Sequence, residues 1–164
     1  MKFQKLFVIA AIVCLLVGAS GGAAMAEGCA DGLIQNEIID GTLRITDDSC
    51  TIMGSTIKGD IRVINSDYIL LLNNVVGGTI RVDGQEGDGV ANVIANTVFG
   101  EGLVVRDLEI ANVIENETLT GNIRVINNVK ALVQKNIAAQ SLRCRGNTDL
   151  SAFINFAGAS LNCE

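Results

Sequence analysis

The chain has 164 residues, 49% of them hydrophobic, with 18 acids against 12 Lys and Arg and a formal charge of −6. It contains no His, Trp or Pro. Without His, Ser-His-Asp and Cys-His mechanisms and His-ligated metal sites are excluded, and an acidic protein has the wrong field for nucleic acid.

Residues 1–26 read as a cleaved secretory signal. Lys2 and Lys5 precede an unbroken apolar run at residues 6–17, and Ala24-Met25-Ala26 offers small residues at the cleavage position. The run is too short to span a bilayer. A lipoprotein reading fits poorly, because Cys14 lies inside the run and Cys29 follows Glu27-Gly28. The remainder, 27–164, is then a single domain of usual size. It keeps ten of the Lys and Arg and all 18 acids, a charge of −8. No later apolar stretch is long enough to cross a membrane. The expected location is therefore exported: periplasmic, extracellular or at the cell surface. Tyr68, Phe99, Phe153 and Phe156 are the only aromatics left, too few for a platform that stacks sugars or bases.

Along the rest of the chain a short phrase returns with a nearly fixed period. It reads Leu43-Arg44-Ile45, Ile61-Arg62-Val63, Ile80-Arg81-Val82, Leu103-Val104-Val105, Ile123-Arg124-Val125, Leu142-Arg143-Cys144 and Leu161-Asn162-Cys163, in steps of 18, 19, 23, 20, 19 and 19. A fixed period in this range signals one structural unit stacked on itself. The apolar-polar-apolar alternation is that of a strand with one buried face, and β-branched residues dominate it. A second apolar patch follows in each middle unit, at 69–72, 90–94, 110–114, 129–133 and 150–154. Then come an Asn and a third short apolar pair. Ala91-Asn92-Val93-Ile94-Ala95-Asn96 returns one period later as Ala111-Asn112-Val113-Ile114-Glu115-Asn116.

Three short strands per turn predict an all-β chain, a right-handed parallel β-helix (β-solenoid) of about seven short coils. One coil cannot bury its apolar face alone, whereas a stack can. A leucine-rich repeat shares the period, and residues 142–147 fit its LxLxxN core. It wants a Leu three residues before that core, where this chain has Lys58, Gly77, Gly100, Thr120 and Ala139. A left-handed β-helix needs a hexapeptide period, which is missing.

Four cysteines remain after signal removal, and an even number in an exported chain suggests disulfides. Cys144 and Cys163 hold the third place of two successive phrases, so one lies directly above the other. Cys29 and Cys50 are again about one period apart. The expected pairs are Cys29–Cys50 and Cys144–Cys163, stapling both ends. A four-Cys zinc site would want CxxC spacing, which neither pair has.

Three surface features are candidate sites. Arg44, Arg62, Arg81, Arg124 and Arg143 follow the buried first residue of their phrases and point outward; Arg106 joins the same face beyond Val104. Such a column either faces an anionic polysaccharide or is neutralised locally, Asp60 and Asp83 lying two residues from Arg62 and Arg81. The loop 83–89 places Asp83, Glu86 and Asp88 among glycines. It is an outward loop that can wrap Ca²⁺ with oxygen ligands, or simply an acidic flexible turn. No other cofactor is implied. Asn74, Asn96, Asn116, Asn136 and Asn155 are expected to stack as a structural ladder at one corner. Asn116-Glu117-Thr118 also fits a glycosylation sequon.

In period and strand pattern, residues 41–163 resemble the pectin-lyase-like superfamily of right-handed β-helices. The resemblance implies fold far more than activity. It makes a small polysaccharide lyase or hydrolase one alternative, with Arg81 or Arg106 near Asp83 and Asp88 as the only combination that imitates an Arg base beside Ca²⁺. The leading expectation is a non-enzymatic structural or binding module whose partner is an anionic polysaccharide or another surface protein. The third reading is a self-assembling or adhesive surface protein that stacks end to end through open strand edges.

Overall fold

The computed structural model describes residues 25–29, 32–46, 48–85 and 87–163. The leader expected at 1–26 lies outside them, apart from Met25 and Ala26. The backbone of these two, with Glu27, forms a short strand beside Thr42–Ile45.

The chain winds through three parallel sheets. The first contains Met25–Glu27, Thr42–Ile45, Ile61–Ile64, Ile80–Asp83, Gly102–Arg106, Asn122–Ile126, Ser141–Arg145 and Ser160–Cys163. The second contains Leu33–Gln35, Ser49–Met53, Tyr68–Leu72, Val90–Ile94, Ile110–Ile114, Lys130–Gln134 and Asp149–Phe153. The third is built of two-residue strands: Ile38–Ile39, Thr56–Ile57, Val75–Val76, Thr97–Val98, Glu117–Thr118, Ile137–Ala138 and Phe156–Ala157. Each strand pairs in parallel with the equivalent strand one coil away. The result is an all-β parallel solenoid of about seven coils, and no α-helix occurs among the described residues. A leucine-rich horseshoe is thereby ruled out.

The repeated phrase lies in the first sheet. Ile61, Ile80, Leu103, Ile123 and Leu142 follow one another in register and are buried, as are Val63, Val82, Val105, Val125 and Cys144. Stacking removes these side chains from water, at roughly 1.5–3 kcal/mol for each large aliphatic one. The intervening Arg62, Arg81 and Arg124 are exposed. Three third-sheet strands depart from the expected apolar pair: Thr56–Ile57 and Thr97–Val98 keep only the second apolar residue and Glu117–Thr118 neither, yet all pair with their neighbours. Thr118 faces inward because its hydroxyl donates to the Gly121 carbonyl.

Each corner has its own chemistry. Between the second and third sheets one residue per coil takes the left-handed conformation: Asn36, Gly54, Asn73, Ala95, Glu115, Lys135 and Ile154, with φ of 55–61°. The next residue points inward, and there the asparagines form the expected ladder. The Nδ2 groups of Asn74, Asn96, Asn116 and Asn136 donate to the Oδ1 of the Asn in the next coil at 3.0–3.1 Å. Asn116 is fully buried in this column, so the folded chain does not present its sequon to a glycosylating enzyme. A second ladder joins Asn128 to Asn147 at the corner between first and second sheets, and the Leu108 amide donates to Asn128.

The third-to-first corner is glycine-rich because successive backbones touch there. A Cβ on Gly59 would lie 2.6 Å from the Gly41 carbonyl carbon, and one on Gly100 2.5 Å from the Gly78 oxygen. Both disulfides form as the spacing predicts: Cys29–Cys50 with Cα atoms 5.8 Å apart, and Cys144–Cys163 with 4.4 Å.

Candidate functional site

The outer face of the first sheet carries all the arginines singled out from the sequence. Parallel register stacks Arg44 on Arg62, Arg62 on Arg81, Arg81 on Val104, Val104 on Arg124 and Arg124 on Arg143. Strands lie about 4.8 Å apart, so like charges in one column repel unless acids intervene.

Around Arg62, Arg81 and Arg106 they do, whereas Arg44 makes no ion pair among the described residues. Arg62 Nη2 donates to Asp60 Oδ2 at 3.0 Å, and Arg81 Nε to Asp83 Oδ2 at 2.6 Å. Arg106, in register with Asp83 one coil on, donates its Nε to the other oxygen of the same carboxylate. Burial alone would raise the Asp83 pKa. Hydrogen bonds and charge from Arg106 and Arg81 outweigh it and hold the carboxyl below its ordinary value. The same contact, led by the Asp83 hydrogen bond, pushes the Arg106 guanidinium up. Raising that pKa is the opposite of what an Arg base needs.

This arrangement bears on the loop 83–89. Its Asp83 already accepts from two arginines, and Asp88 Oδ1 accepts the Gly89 amide at 2.9 Å. Glu86 lies outside the described residues. Among those described, no group of three or more His, Cys, Asp or Glu is placed to hold a metal ion. Calcium at Asp83 would have to share a carboxylate already engaged by the Arg81 and Arg106 guanidinium groups.

The C-terminal half of the face differs. The position of Asp60 is held by Asn122 and Ser141, and that of Asp83 by Ile126 and Arg145. Arg124 and Arg143 stand in register, with Arg145 two residues on, and all three are exposed. None makes an ion pair among the described residues. Arg145 escaped the sequence reading because it lies outside the repeated three-residue phrase. The rule that placed Arg106, two residues on and the same face, would have found it.

Two shallow grooves flank these cations. One, of about 590 Å³, runs between the face and the glycine corner, lined by Arg81, Glu101, Val104, Asn122, Arg124 and Gln140. The other, of about 560 Å³, is lined by Arg143, Arg145, Ser160 and Asn162. Glycines at the corner leave one wall of the first groove as bare backbone, so a flat, extended ligand can lie close to the sheet.

Together the coils and this face define the protein as a disulfide-stapled parallel β-solenoid with a divided arginine face. Compared with protein-family models, curated proteins and solved structures, the chain matches none. No helix among the described residues is long and apolar enough to cross a membrane, and two disulfides suit an oxidising compartment.

Proposed function

We propose that the protein is an exported, non-enzymatic binding module that holds an acidic polysaccharide along the first sheet. The contact is made at Arg124, Arg143 and Arg145. One observation carries this reading: Asp60 and Asp83 neutralise Arg62, Arg81 and Arg106, and Arg44 stands unpaired but alone, whereas these three cations lie together with no carboxylate partner among the described residues. Guanidinium groups in adjacent strands can each fork onto a carboxylate or sulfate, giving charge-assisted contacts with directional specificity. The likeness to pectin-lyase-like solenoids supports this through the kind of fold alone.

The test is retention of the disulfide-bonded protein on carboxylated and sulfated polysaccharides at rising salt. The triple change Arg124→Gln, Arg143→Gln and Arg145→Gln should abolish retention. The matched change Arg62→Gln, Arg81→Gln and Arg106→Gln should leave most of it, since those charges are already neutralised. Retention of the parent should fall with salt as screening shortens the reach of the charges. A parent that binds no polyanion at low salt overturns the reading, as does shortening of the polymer during incubation. Export predicts a secreted form beginning at Glu27, read by intact mass.

A further inference from the structure

The outer face of the second sheet is uncharged over three successive coils. Strands Tyr68–Leu72, Val90–Ile94 and Ile110–Ile114 turn their second and fourth residues inward, with Ile69, Leu71, Val93 and Val113 buried. The residues facing out form three columns. One margin is Tyr68, Val90 and Ile110, and the other is Leu72, Ile94 and Ile114. The middle column is Leu70, Asn92, Asn112 and Leu132. Asn112 Nδ2 donates to Asn92 Oδ1 at 2.8 Å, which leaves the Asn92 donor and the Asn112 acceptor for something beyond the sheet.

We infer that this face packs against the same face of a second copy of the chain, the two solenoids lying side by side and pointing the same way. Two flat sheets pack about 10 Å apart through their side chains. Across such a contact the Asn92 donor of each copy reaches diagonally to the Asn112 acceptor of the other. The middle of the face is therefore complementary to itself, as a two-fold contact requires.

Charge at the margins selects the orientation. The corner beside Tyr68, Val90 and Ile110 bears the acids Asp48, Asp67, Asp88 and Glu109, which outnumber the one cation that continues the column, Lys130. The opposite corner bears Gly54, Asn73 and Ala95, followed by Glu115 paired with Lys135 at 3.0 Å. A two-fold axis along the strands would set acidic margin on acidic margin. A two-fold axis parallel to the solenoid axis sets each acidic margin on the neutral one, and it brings each middle-column residue level with its own counterpart. With Ser49–Met53 and Lys130–Gln134 at its edges, the face spans five strands about 4.8 Å apart and about five residues long, roughly 400 Å². That is small for a stable complex, so the pair should form reversibly.

Sedimentation of the disulfide-bonded protein across a broad concentration range tests this. The mass should rise from one chain toward two. Ile94→Lys, on the outer face, should keep the circular dichroism and both disulfides yet stay monomeric. Leu70→Cys and Leu132→Cys should each cross-link to itself under mild oxidation, and a mixture of the two should give no mixed product beyond random collision. A parent that stays monomeric throughout overturns the inference and leaves the face to another occupant. So does a dimer indifferent to Ile94→Lys, or a Leu70→Cys variant that links only to Leu132→Cys. The outcome is independent of the arginine face, whose Gln variants should dimerise as the parent does.

Discussion

At Asn116 every polar atom of a fully buried side chain is used. Its Oδ1 accepts from Asn96 Nδ2 and the Asn96 amide, and its Nδ2 donates to Asn136 Oδ1 and to the Val93 carbonyl. Asn116→Ala therefore strands groups on both neighbouring coils, and leaving buried polar groups unmet costs about 1–3 kcal/mol or more. A urea titration should show that loss without a change in slope. Asp83 gives a pH-dependent counterpart. Its folded pKa lies below the ordinary 3.8, so its contribution is complete above that value and disappears as pH falls through the lowered one. Asp83→Asn should thus destabilise in neutral buffer by about 1 kcal/mol, the scale of a surface pair. It should match the parent in strongly acidic buffer, and equal losses at both acidities would count against the Arg81–Asp83–Arg106 bridge.

At the level of the strand, the phrase Ile123-Arg124-Val125 puts opposite environments side by side. Ile123→Ala should cost roughly 2–5 kcal/mol, as large-to-small core changes do, whereas Arg124→Ala should cost well under about 1 kcal/mol because the side chain has no ion-pair partner and a like charge one strand away. Denaturant midpoints decide between them. Strands of this kind were legible because alternation and β-branching coincide in a fixed period. The first coil was less so: Leu33–Gln35 and Ile38–Ile39 carry no copy of the phrase and were placed only by pairing with the coil after them. The Asn128–Asn147 ladder was hidden because Leu108 and Ser66 occupy the same corner in other coils. Of the site, Arg62–Asp60 and Arg81–Asp83 could be read as neighbours two apart on one strand. The Arg106–Asp83 contact spans 23 residues across the longest unit and needs the coil register. The unneutralised end of the column required that register too, since it is defined by which acids are missing from equivalent places.

Across the whole molecule, interior coils are covered on both sides and the last one is not. Leu161 stacks on buried Leu142 yet is 55% exposed. The Cys144–Cys163 bond holds this coil against its neighbour, closing a loop of 19 residues for roughly 3 kcal/mol in the chain-entropy description. Replacing both cysteines with Ala should speed hydrogen exchange in Ser160–Cys163 and Asp149–Phe153 while leaving Val90–Ile94 slow; uniform acceleration would mean that the coils do not open one at a time. The staples also fix how the protein bears tension. Pulled from its two termini, the oxidised chain transmits force from Cys29 straight to Cys50 and from Cys163 straight to Cys144. The end coils drop out of the force path, and only the span between Cys50 and Cys144 is loaded. Peeling from the ends is then barred, so a stretched molecule should yield from within, releasing roughly 140 Å less contour than the reduced chain for the 21 and 19 residues held back.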